Sequence, residues 1–114
     1  MANTFLSETD ASIGTSPATV FTCPSATQST IIGLSVANRT AAQILVDVQL
    51  DASGRTSGAE DSVYLIKNAP VPVGSSLVVV GGEQKVVLEP GDVITVTSNT
   101  ASSADVALSI LEIS

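Results

Sequence analysis

The chain has 114 residues, 44% of them hydrophobic but only 3% aromatic, and a formal charge of −7 from eleven carboxylates against four basic residues. A domain of this size buries roughly two-thirds of its unfolded surface without help from disulfides or metal. The acidic balance argues against direct nucleic-acid binding, which needs a basic patch, and against adsorption to anionic membranes.

Residues 1–17 are polar, with Phe5, Leu6 and Ile13 as the sizeable apolar anchors, and read as an N-terminal arm or a loosely attached edge strand. Met1 to Phe5 shows no basic segment and no apolar run, so no signal peptide is expected. Residues 18–114 are then punctuated every eight to twelve residues, the spacing of an all-β sandwich or barrel. Ile31 to Ala37 reads as a strand with Ile32, Leu34 and Val36 on one face and Gly33, Ser35 and Ala37 on the other. Gln43 to Leu50 alternates without a break, which requires one buried and one wet face. The short turn Asn38-Arg39-Thr40 suggests that these two strands form an antiparallel hairpin.

Asp51 to Asp61 is a polar loop, too rich in glycine and serine to be helical. Ser62 to Asn68 is a mostly apolar run that reads as a strand covered on both faces. Pro70 and Pro72 make Ala69 to Val73 an extended crossover or edge. Leu77 to Val80 and Lys85 to Leu88 flank Gly81-Gly82 and are expected to pair as a hairpin. In Glu89-Pro90-Gly91-Asp92 the Pro and Gly fit the central positions of a type II turn. Val93 to Thr97 and Asp105 to Ile113 complete the series, the latter alternating Val106, Leu108 and Ile110 against Asp105, Ala107 and Ser109. About eight short strands and no helix predict an antiparallel β-sandwich of jelly-roll type. The longest apolar stretch, Leu77 to Val80, is far too short to span a bilayer as a helix, so a soluble protein made in the cytoplasm is expected.

Reactive chemistry is sparse in this composition. With no histidine, Ser–His and Cys–His pairs cannot form, and one cysteine without imidazole makes a poor zinc site. The two lysines leave a Ser–Lys dyad formally open, but nothing fixes a serine beside either one. Cys23 alone cannot make an intrachain disulfide and reads as a small buried apolar group. Asp51, Glu60 and Asp61 could offer oxygen ligands to calcium, but their spacing does not match an EF-hand loop. Gly54 to Gly58 and Gly81-Gly82 are turn glycines, not phosphate loops, because neither opens onto a helix. Asn38-Arg39-Thr40 matches a glycosylation pattern that has no meaning without secretion. No enzyme activity, metal or cofactor is expected. Arg55, at the tip of the long loop, is a candidate anchor for a partner carboxylate, with one solubilising charge as the plain alternative.

Three runs carry a resemblance: Ile31 to Asn38, Val63 to Leu77, and Gly81 to Val96 with its Leu88-Glu89-Pro90-Gly91-Asp92-Val93-Ile94 turn. Across residues 19–113 the chain resembles small structural proteins of tailed bacteriophages, especially those infecting cyanobacteria and other aquatic bacteria. The Pro-Gly-Asp turn is also similar to that of cupin-like jelly rolls, whose metal-binding histidines this chain lacks. The phage resemblance implies a virion protein made in the host bacterial cytoplasm. Its role would be capsid decoration (cement), acting as a homo-oligomer against the major capsid protein or other virion proteins. A neck, head–tail or tail accessory role is the nearest alternative, and a ligand- or carbohydrate-binding β-sandwich module is a second. Phe5 on the arm, Arg55 on the loop, and the ridge of Lys67, Pro70, Val71 and Pro72 are the candidate partner contacts.

Overall fold

The computed structural model describes residues 3–54, 62–81 and 85–113. These residues form nine strands: β1 (Asn3–Ile13), β2 (Ala18–Thr22), β3 (Gln28–Asn38), β4 (Ile44–Asp51), β5 (Val63–Val71), β6 (Ser76–Val80), β7 (Val86–Leu88), β8 (Val93–Ser98) and β9 (Ala104–Ile113). All pairings are antiparallel. One sheet has the order β1-β9-β3-β6, with β7 also on β3, and the other the order β2-β8-β4-β5. β6 pairs with Leu34 to Ala37 and β7 with Ser29 to Ile31, so the two are halves of one interrupted strand along the same side of β3. Counted that way, eight strands fill two four-stranded layers in jelly-roll order, and the fold is an antiparallel β-sandwich.

The alternation read from the sequence builds the core. Ile44, Val46 and Val48 from β4, Ile94 and Val96 from β8, and Leu108 and Ile110 from β9 have no exposed surface. Burying each such side chain stabilises the fold by roughly 1.5–3 kcal/mol before chain entropy is subtracted. In β3 the pattern slips: a register irregularity between Ile31 and Gly33 buries Ile31 and leaves Ile32 only part-buried. The inward set is therefore Ile31, Leu34 and Val36, not Ile32, Leu34 and Val36.

Three pairing expectations are corrected. β3 and β4 do not form a hairpin but lie in opposite sheets. The turn between them crosses the sandwich because Asn38 ties its own loop together. Its amide donates to the carbonyls of Ala42 (2.8 Å) and Val71 (2.9 Å), and its Oδ1 accepts from the Thr40 N–H (2.8 Å). β6 and β7 likewise do not pair with each other: each pairs with a different stretch of β3. β5 is not covered on both faces: it is an edge strand with Val63 and Tyr64 about half exposed. Two register irregularities opposite β4 and a positive φ at Asn68 (53°) turn its apolar run partly outward.

The Glu89 to Asp92 turn takes the expected form. The Asp92 N–H donates to the Glu89 carbonyl at 3.0 Å, and Gly91 has φ of 91°, a conformation that only glycine enters without strain. The Asp92 carboxylate turns back to accept from the Glu89 N–H at 3.0 Å. Of the two forms expected for the N-terminal segment, an arm or an edge strand, residues 3–13 take the second: β1 pairs with β9 from Asn3 to Ile13 at the end of its sheet.

Candidate functional site

The outer face of the five-stranded sheet is the most distinctive surface of the molecule. It is built from the outward residues of β1, β9, β3, β6 and β7. Register places Thr9 beside Ala107, Ala107 beside Ser35, and Ser35 beside Val78 in one cross-strand row. A second row runs Phe5, Leu111, Thr30, Val87. Phe5 is 74% exposed, Val78 65% and Val87 59%. Between these apolar posts the floor consists of Gly33, Ser35, Ala37, Ala107 and Ser109. Small floor residues leave a shallow cavity of about 430 Å³, whose lining includes Thr9, Asp10, Ala11, Ala37 and Asp105.

Charge is sparse on the described part of this face. Among the described outward strand residues Asp105 is the one that is charged, and it is paired with Arg39 at 3.1 Å. The same guanidinium donates to Ser12 Oγ at 2.7 Å, and the Ser12 N–H donates to Asp105 at 3.0 Å. This triad pins the left-handed residue Ser12 (φ 58°), where β1 bulges at the rim of the cavity.

The sequence-derived candidates do not converge. β1 and β5 are edges of different sheets, so Phe5 and the Lys67 to Pro72 ridge belong to separate surfaces. Lys67 donates to Asp47 at 3.2 Å and lies 4.6 Å from the centre of the Tyr64 ring. Its hydrogen bond to Asp47 raises the Lys67 pKa above its ordinary value. Pro70 and Pro72 are exposed, but Val71 is wholly buried opposite Ile44. Val71 is therefore removed as a contact: its neighbours signalled an edge, yet its own side chain completes the core.

Arg55, Glu60 and Asp61 lie outside the described residues. The Asp51 carboxylate accepts from the Ser53 N–H (3.0 Å) and from the hydroxyls of Ser53 (2.6 Å) and Ser62 (2.9 Å). These bonds, that from the Ser53 hydroxyl first, hold its pKa below the usual carboxylate value. They link the two ends of the long loop. Cys23 is buried, with Sγ 3.3 Å from Ser29 Oγ and 3.4 Å from the Thr27 carbonyl. Burial pushes its thiol pKa up. Such a thiol is a poor nucleophile.

Sequence reasoning missed the charge-poor sheet face as a surface. The outward halves of β3 and β9 are legible one strand at a time, but nothing local reveals that strands some seventy positions apart lie side by side.

No family model matches the chain, and no curated protein matches it. Among solved structures, the chain is similar to one from the Bacillus endospore appendages, which form a novel family of disulfide-linked pili. That likeness covers 100% of this chain and 91% of the other, with a TM-score of 0.50 and 12% identity. Identity this low shows a shared fold.

Proposed function

We propose that the chain is a non-enzymatic structural subunit that works by contact within a multi-copy assembly, with decoration of a tailed-phage capsid as the leading role. The supporting observation is the outer face of the five-stranded sheet. A molecule of formal charge −7 keeps a face with exposed Phe5, Val78 and Val87 on which, among the described residues, the carboxylates are Asp105, paired with Arg39, and Asp10 at the cavity. Phe5, the part-exposed Leu111 and Val87 share one cross-strand row of this face, and apolar exposure gathered on one face is what an interaction surface offers. A rigid sandwich can dock such a face on a repeating lattice without reorganising, so little binding free energy is lost to ordering. The phage resemblance supplies the setting, a virion assembled in the bacterial cytoplasm, with the capsid protein as partner.

A second reading, the subunit of a surface filament, draws on the full-length fold likeness to the chain from disulfide-linked pili. Cys23 limits that comparison. Its sulfur is enclosed by Thr27, Ser29 and Leu88, so a bond to a neighbouring copy would require the sandwich to open.

Incubating the purified chain with undecorated heads and imaging them by electron microscopy tests the proposal. Density repeated across the head surface supports decoration, and a ring at one vertex moves the role to the neck. Filaments from the chain alone favour the second reading. Absence of both particle binding and self-assembly overturns a structural role.

A further inference from the structure

The sandwich has four outer strand edges, and three are guarded against pairing with another chain. β2 is only five residues long, follows Pro17, and has a register irregularity between Thr19 and Phe21. β5 carries Pro70, Lys67, two irregularities and the left-handed Asn68. The β6–β7 edge is interrupted into pieces of five and three residues. Short strands, proline, lysine and bulges are the usual devices that blunt an edge. β1 pairs with β9 in unbroken register from Asn3 to Asp10; the guard it carries there is inward charge at Glu8 and Asp10, and Asn3 to Ser7 has none. Its eleven residues contain no proline, glycine, lysine or arginine. The outer side of β1 is thus an open template of backbone donors and acceptors.

We infer that this edge pairs with the β1 edge of a second copy, antiparallel and two-fold symmetric, with Leu6 on the axis. The inference builds on the structural role proposed above and names the contact through which copies associate. Cross-strand neighbours must lie on the same face, so a two-fold axis passes through a residue position. On Leu6, the inward row sets Leu6 against Leu6 and Thr4 against Glu8. The outward row sets Phe5 against Ser7 and Asn3 against Thr9. The two Phe5 rings become diagonal neighbours, within the reach of aromatic side chains. The strand's largest exposed apolar group is then covered.

Charge selects the register. Glu8 and Asp10 are half-buried on the inward row and discourage pairing along the second half of β1. With Leu6 on the axis, the two Glu8 carboxylates stand four strand positions apart, about 13 Å. That separation exceeds the screening length of about 8–10 Å at physiological salt. Moving the axis to Ser7 would make the Glu8 side chains diagonal neighbours. The pairing also runs the charge-poor outer faces of two copies into one continuous sheet surface, doubling the area available to a lattice.

Sedimentation velocity on the full chain over a wide concentration range tests the inference. A concentration-dependent dimer is expected. Phe5→Lys, at an exposed position, should leave the melt unchanged and weaken the dimer at least tenfold. Mixing Phe5→Lys with Phe5→Glu should restore association, because the two side chains are diagonal neighbours. A Phe5→Cys and Ser7→Cys mixture should cross-link under mild oxidation, while buried Cys23 stays silent. A dimer insensitive to Phe5→Lys places the interface elsewhere and overturns the inference. So does edge pairing found only with a foreign extended segment. A chain that stays monomeric yet still decorates heads also overturns self-pairing, while leaving the structural role standing.

Discussion

Asn38 does more for the fold than its place in a turn suggests. Its side chain is buried and satisfied on both ends: the amide serves the Ala42 and Val71 carbonyls, and the oxygen accepts from the N–H and hydroxyl of Thr40. It therefore fixes the crossing between sheets and binds β5 to that crossing. Asn38→Ala leaves those groups unpaired in a buried site and should destabilise the protein by about 2–3 kcal/mol, read from the denaturation midpoint. Cys23 predicts a pH effect. Burial, reinforced by the charges of Asp92 and Glu112 and opposed by the hydrogen bond with Ser29, raises its pKa above the ordinary 9.0. A raised folded-state pKa gives stability that is complete below the unfolded value and lost as pH rises toward the folded one. Lys67, raised chiefly by its bond to Asp47, acts in the same direction above its ordinary 10.5. The melting temperature should hold through neutral pH and fall above about pH 9. The early part of that fall should be absent in Cys23→Ala.

At the scale of elements, two kinds of information separate. Strand positions and most inward faces were legible, because alternation follows directly from the pleat; β4, β8 and β9 are plain cases. Which strands become neighbours was not legible for β3 and β4. A strand with one apolar face is equally content beside its chain neighbour or stacked across the core from it. The deciding contact is a single asparagine reaching Val71, thirty-three positions away. The outward turn of Ile32 has the same origin, since the register shift that re-aims β3 forms against β9. Of the candidate contacts, Phe5 was legible as an apolar group in a polar strand, whereas the burial of Val71 depends on where β4 lies. The inward and outward assignments can be tested in one pair. Val46→Asp puts a lone charge at a wholly buried position and should abolish the cooperative melt, a cost of several kcal/mol. Val78→Asp sits on the exposed face and should fold with the wild-type melt, yet lose particle binding. β1 offers a further test. It supplies the buried Ile13, and the backbone of Ile13 and Gly14 accepts from Ser103 and Ser98. Deleting residues 1–13 should therefore lower the denaturation midpoint and expose the edge of β9, seen as aggregation by light scattering.

The whole molecule combines a strongly acidic balance with an interaction surface from which charge has been kept away. Two copies at −7 repel at long range, whatever they do on contact. Association must therefore come from backbone pairing and apolar cover, and the net charge then sets how readily copies approach. This arrangement has a definite salt signature. The screening length is about 30 Å at 0.01 M salt and about 10 Å at 0.1 M, so added salt removes the repulsion between copies but leaves apolar contacts intact. Self-association should tighten as sodium chloride rises from about 0.01 M to about 0.15 M, measured by sedimentation or light scattering at fixed protein concentration. An interface held by opposite charges, such as one centred on the Lys67–Asp47 ridge, would behave in the reverse way and weaken over the same range. The direction of the salt dependence thus discriminates between the charge-poor sheet with its open β1 edge and the charged ridge on β5. Weakening with salt would transfer the contact to that ridge.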